Sequence, residues 1–127
     1  MSLIKQVIFS LPAIIIAVTI FILSNGPQPG LPNLGIVWED KLLHLTSYFI
    51  FGLALILFMI ANFQSMSVRK IALITIIIGA FYGLSDEIHQ NYIPGRHCDL
   101  FDWIADLIGV IISTKFIKLL KTKLITT

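Results

Sequence analysis

From Tyr82 to Gly109 the chain reads YGLSDEIHQNYIPGRHCDLFDWIADLIG. These residues hold five of the seven acids of the protein, two of its three histidines and its only cysteine. The segments on either side are strongly apolar. A polar cluster of this density, carried on segments suited to lipid, fixes both the class of fold and the place to look for function.

The composition supports that reading. Of 127 residues, 57% are apolar and 13% charged, with a mean hydropathy of +0.92. Soluble domains carry about 25% charged residues, so an aqueous fold would leave too much apolar surface in water. The length suits a single domain spanning residues 1–127. A lone cysteine excludes an intrachain disulfide and a cysteine-based zinc cage.

Outward from the cluster, apolar runs predict an all-α integral membrane bundle of four transmembrane helices, at about 7–24, 42–63, 71–92 and 100–120. A span needs about 20 mostly apolar residues. The first run is expected to be a retained helix rather than a cleaved signal, because it exceeds the usual h-region of about 7–15 residues and no A-x-A site follows. Between Asn25 and Glu39, residues Gly26, Pro27, Pro29, Gly30, Pro32 and Gly35 predict a loop, with Ile36, Val37 and Trp38 at headgroup level. Pro94-Gly95 ends the third span, since Pro94 disfavours helical geometry at Ile93 and Gly95 suits a turn. The fourth is the weakest by hydropathy.

Four spans place both termini on one side of the membrane. That side holds seven of the nine basic residues, and the other holds Lys41, Arg96 and all seven acids. The positive-inside rule then makes the termini cytoplasmic and the acidic end extracytoplasmic.

Helical spacing predicts which polar residues can meet. Asp99, Asp102, Asp106 and Gly109 follow i, i+3, i+7, i+10 on the fourth helix and form one stripe. Lys41, His44 and Tyr48 share a face of the second, with Asp40 and Ser47 close by. Tyr82, Asp86, His89 and Gln90 share a face of the third, and Glu87 is spaced to pair with Gln90. At about 1.5 Å per residue, Asp106 lies roughly 10 Å below Asp99 and His44 about 6 Å below Asp40. The candidate ligand-binding set is therefore Asp40, Lys41, His44, Tyr48, Asp86, Glu87, Gln90, Arg96, Asp102 and Asp106. Asp106 is expected to be the most deeply placed acid, hydrogen-bonded to Asp102 or His44. Bland readings fit parts of the set: an ion-pair network fixing helix packing, Asp99 as a helix cap, His97 and Cys98 as loop residues, and Gly52, Gly79, Gly83 and Gly109 as close-packing points.

Asp40-Lys41-x-x-His44 opening one span, then Glu87-x-x-Gln90, Pro94-Gly95-Arg96, Asp102 and the late Gly109, resemble the VanZ-like membrane family. The likeness covers about Asp40 to Gly109. Asp106 departs from it, standing where members often have Asn, as does Ser113, where a second Gly is common. The resemblance implies a small helical bundle of the bacterial envelope and the plasma membrane. Its founding member is associated with low-level resistance to teicoplanin, a glycopeptide that binds peptidoglycan precursors outside the membrane.

Two functions fit these residues. In one, an outward pocket binds a lipid-linked or headgroup ligand, such as a cell-wall precursor or the glycopeptide. Arg96 would then meet phosphate through its fork, while the acids and Gln90 hold sugar hydroxyls or amino groups. In the other, His44, His89 and the carboxylates Asp86, Glu87, Asp102 and Asp106 serve a membrane hydrolase, with a divalent metal activating water. No H-E-x-x-H or other zinc spacing is present, so neither a resident metal nor another cofactor is assigned. A small ion- or proton-coupled transporter is a third alternative. Membrane lipids are the expected neighbours, and no nucleic-acid partner is expected.

Overall fold

The computed structural model describes residues 1–26 and 38–125. Of the expected loop, Pro27, Pro29, Gly30, Pro32, Gly35, Ile36 and Val37 lie outside the described residues. The described chain is all helical: α1 Leu3–Ser24, α2 Glu39–Asn62, α3 Val68–Gln90, α4 Leu100–Ser113, a 3-10 turn at Thr114–Phe116, and α5 Ile117–Ile125.

Local chemistry sets the helix ends. Ser2 and Ser67 cap α1 and α3, their hydroxyls accepting from the Lys5 and Lys70 N–H groups. Each satisfies a donor that the first turn leaves without a partner. At the far end of α3, Asn91 to Arg96 turn the chain, and Gly95 adopts φ 82°, a conformation glycine accepts without steric cost. Glu39 and Asp40 occupy the first turn of α2, where acids complement the helix dipole.

Helices α1, α2 and α3 are each long and apolar enough to cross a membrane. The region of the expected fourth span, over 100–120, is divided among α4, the 3-10 turn and the start of α5. Just before and within that turn, the Ser113 hydroxyl donates to the Val110 carbonyl and the Thr114 hydroxyl to the Ile111 carbonyl, at 2.6 and 2.7 Å. Such back-bonding competes with the regular ladder and tightens the local turn.

Helix α2 is the centre of the bundle. Its buried Tyr48, Phe51, Ala54 and Leu55 pack with Ala13 and Ile20 of α1 and Val110 of α4. Toward the opposite end, Ile56, Met59 and Ile60 meet Ile71 and Ile117. Helices α2 and α4 run parallel and very close, because small residues stand where their backbones meet. A Cβ on Gly109 would collide with the Leu45 carbonyl oxygen and lie 2.8 Å from the Phe49 nitrogen. One on Gly52 would strike the Ser113 hydroxyl, and one on Gly79 would crowd Val110. These glycines are the close-packing points expected from the sequence. The outer faces remain apolar, with Ile14, Val18, Ile22, Ile77, Phe81, Phe101 and Ile108 all exposed. Faces of this kind suit lipid rather than water.

Candidate functional site

The α2–α4 register brings the start of both helices to one end of the bundle, beside the last turns of α1 and α3. Nearly all the acids gather there, in an outer tier, an inner tier and a separate junction.

Lys41 organises the outer tier. Its Nζ lies 2.9 Å from Asp40 Oδ2, 2.6 Å from Asp99 Oδ2 and 2.6 Å from Asp102 Oδ1. Asp99 also caps α4, its Oδ1 accepting from the Phe101 N–H at 2.8 Å. The Lys41 hydrogen bond, helped by that from Phe101, holds the Asp99 carboxyl below the usual carboxylate range. Asp40 and Asp99 are partly exposed, whereas the Asp102 side chain is only 10% exposed. The tier therefore leads from the surface inward.

His44 organises the inner tier, one turn deeper on α2. Its Nδ1 lies 2.9 Å from Asp106 Oδ1 and 4.0 Å from Glu87 Oε1, and its Nε2 lies 3.8 Å from Asp102 Oδ2. Asp106 is fully buried and Glu87 is 1% exposed. Glu87 Oε2 accepts the backbone N–H of Asp99 at 2.8 Å, which ties the tiers together. Among the described residues five buried side-chain atoms have no hydrogen-bond partner, and three of them, Glu87 Oε1, Asp106 Oδ2 and the Tyr48 hydroxyl, lie in this tier. The others are Asp102 Oδ1, which faces Lys41, and Thr75 Oγ1 elsewhere on α3. Leaving a buried polar atom unsatisfied costs about 1–3 kcal/mol, so three in one place mark the tier as something other than a packing device. Gly83 makes room for it, since a Cβ there would stand 3.1 Å from Asp106 Oδ2 and 3.3 Å from the Tyr48 ring. His44, Glu87 and Asp106 each offer one metal-ligating atom within 4.8 Å of the others.

The junction between α1 and α3 is built differently. Arg96 Nε donates to the Gly26 carbonyl at 3.0 Å and Nη2 to the Leu23 carbonyl at 2.9 Å, so the guanidinium caps the end of α1. Its Nη1 reaches Gln90 Oε1 at 3.4 Å. Gln90 Nε2 in turn donates to Asp86 Oδ2 and more weakly to Ser24 Oγ, at 3.1 and 3.4 Å. His89 pairs with Asn25 Oδ1 at 2.9 Å and stacks on Phe21.

The ten expected residues are thus all at one end but not in one pocket. Asp40, Lys41, His44, Tyr48, Glu87, Asp102 and Asp106 come together between α2, α3 and α4, and Asp106 meets His44 as expected. Asp86, Gln90 and Arg96 form the junction instead. The anticipated Glu87–Gln90 pair is replaced by Gln90 with Asp86, because Glu87 turns toward α2 and α4. Asp99 does more than cap α4: it pairs with Lys41 and donates its N–H to Glu87, and its place in the acidic stripe was the available signal. Nothing in the sequence pointed to Ser24 or Asn25.

The family model described as VanZ/LLP1 matches residues 9–121, a span that includes both polar clusters. The chain belongs to the VanZ/LLP1 family. No curated protein matches it, and no solved structure does. Family membership and three helices of spanning length and composition together make this VanZ-family chain a membrane protein.

Proposed function

We propose that this VanZ-family chain is a multi-pass protein of the bacterial plasma membrane whose α2–α4 cluster binds the polar headgroup of a lipid-linked envelope molecule, and that it thereby contributes to tolerance of glycopeptides such as teicoplanin. The observation that carries the reading is the inner tier. Several buried polar atoms without partners lie together beneath a partly exposed tier, whereas the polar groups of the α1–α3 junction are matched with one another. Intramembrane ionisable groups are costly and characteristically serve a pathway or a ligand.

In this reading α4 and α5 together complete a fourth crossing, both termini are cytoplasmic and the acidic end faces out. The supporting fact is charge: Arg69, Lys70 and the lysines of the C-terminal region lie at the end opposite the acids. The excess of carboxylate over Lys41 and His44 suits amino groups and sugar hydroxyls of a headgroup. Arg96, anchored to the end of α1, acts by fixing the rim of the site.

Native mass spectrometry of the detergent-purified protein tests the binding. A headgroup-bearing lipid should be retained by the wild type and lost in Asp102→Asn at unchanged protein yield. Equal retention by both proteins would contradict the reading. An impermeant thiol reagent on intact cells tests the orientation. The exposed native Cys98 should react, and a cysteine at position 67 (Ser67→Cys in a Cys98→Ser background) should not. The reverse pattern would invert the topology.

A further inference from the structure

The inner tier has a composition that headgroup binding does not require. An imidazole and two carboxylates converge at the meeting of three helices, each contributing one atom to a group spanning 4.8 Å. Two of the carboxylate oxygens in this tier, Glu87 Oε1 and Asp106 Oδ2, are buried without a partner. Glu87 Oε1 stands 4.0 Å from His44 Nδ1, facing the ring edge that already meets Asp106 at 2.9 Å.

We propose that His44, Glu87 and Asp106 form a divalent-cation site, with His44 binding through Nδ1 and Asp102 orienting the ring through Nε2.

Several features of the geometry support this assignment. A ligating histidine almost always directs its other ring nitrogen to a carboxylate, a carbonyl or water, which fixes the tautomer. Here Asp102 Oδ2 stands 3.8 Å from Nε2, beyond hydrogen-bond distance, so the orienting bond forms only as the ring shifts onto the cation. Lys41 holds the other oxygen of Asp102. With the cation on Nδ1, the single proton of the neutral ring sits on Nε2, facing Asp102. The other Glu87 oxygen accepts from the Asp99 backbone, which orients that carboxylate in turn. Nitrogen and carboxylate ligands bind zinc at about 2.0–2.2 Å in a tetrahedral arrangement, so two ligands of one ion lie about 3.4 Å apart. Binding therefore draws the present spread of 4.8 Å inward by about 1.4 Å, a movement within the reach of side-chain torsions. One nitrogen and two oxygens suit zinc or manganese, whereas calcium takes about 6–8 oxygen ligands. Three protein ligands would leave a coordination position for water or a ligand oxygen.

The site does not depend on the identity of any headgroup. It is tested on chelator-stripped, detergent-purified protein carrying His97→Gln and Cys98→Ser, which removes exposed competing donors. Equilibrium dialysis against Zn2+ should give one zinc per chain. Asp106→Asn and Glu87→Gln should each abolish that binding, with the fold checked by circular dichroism. Asp102→Asn should weaken it by about 10–100-fold, the usual cost of losing an orienting partner. X-ray absorption at zinc, which needs no site variant, should report one imidazole with oxygen ligands. Absence of zinc binding, wild-type affinity in folded Asp106→Asn, or two imidazoles at the metal would each overturn the assignment. Lipid retention measured on the same samples separates the two proposals. Retained lipid without zinc binding refutes only the cation site, and zinc binding without retained lipid refutes only the headgroup reading.

Discussion

Two polar clusters occupy the same end of this bundle, and they differ in how their hydrogen bonds are met. At the α1–α3 junction, Arg96 donates to two carbonyls at the end of α1, and Gln90 links Arg96, Asp86 and Ser24. Donors and acceptors are matched, as in a device that fixes helix packing. Between α2, α3 and α4, three carboxylates surround Lys41, and deeper down buried oxygens of Glu87 and Asp106 remain unmatched. Polarity in the bundle is therefore not by itself the mark of function. The mark is several unsatisfied polar atoms gathered in one place at a cost to stability; a lone one such as Thr75 Oγ1 does not make it.

The comparison breaks most readily at Lys41. Lys41→Met leaves Asp102 buried without its cation, and breaking one side of a buried pair costs about 3–5 kcal/mol. Asp40 and Asp99 are partly exposed and add little, because solvent screens their pairs. The variant should lose stability toward the lower end of that range, about 3 kcal/mol, in an equilibrium unfolding assay in mixed micelles. A loss under about 1 kcal/mol, the range of exposed pairs, would show the outer tier to be a surface network.

Arg96→Lys sharpens the contrast from the other side. Lysine keeps the charge but lacks the planar fork that reaches both carbonyls. Hydrogen bonds involving a charged group contribute about 1.5–3 kcal/mol, so this variant should lose stability of that order in the same assay. Its lipid retention per folded molecule should match the wild type. Reduced retention at normal stability would move Arg96 into the binding site.

Asp99 gives the smallest effect. Asp99→Ala removes the α4 cap, worth about 1 kcal/mol, together with one partly exposed contact to Lys41. Lys41 depresses the folded-state pKa of this carboxyl. Its contribution is therefore complete above its unfolded value of about 3.9 and is lost as pH falls through the lower folded value. Acid titration of stability should show a smaller loss below about pH 4 in Asp99→Asn than in the wild type. Identical acid limbs would mean that the Lys41 contact is not maintained in solution.

The sequence made some of this legible and not the rest, for physical reasons. The first three helices appear as long apolar runs, which length and hydropathy decide. Their starts extend beyond those runs because Ser2 caps α1 and because acids at Glu39 and Asp40 are favourable in a first turn. The paired stripes of α2 and α4 were also legible, since periodicity places Asp102 and Asp106 on one face and Lys41 and His44 on another. The break at Thr114–Phe116 was not, because it depends on which carbonyls the Ser113 and Thr114 hydroxyls choose. Nor was the division of the cluster. Asp86 and Glu87 are adjacent on α3 and project about 100° apart, so one faces the junction and the other faces α2 and α4. Spacing assigns residues to faces, but only tertiary packing says which neighbour each face meets.

The most direct test of the functional assignment is glycopeptide tolerance per membrane-inserted molecule in cells expressing Glu87→Gln. The substitution keeps the shape of a buried side chain and removes its capacity to bind as a carboxylate. If the α2–α4 cluster is the working site, tolerance falls to that of cells lacking the protein while membrane yield stays near wild type. Full tolerance per molecule in Glu87→Gln would contradict the account and return the cluster to a structural role.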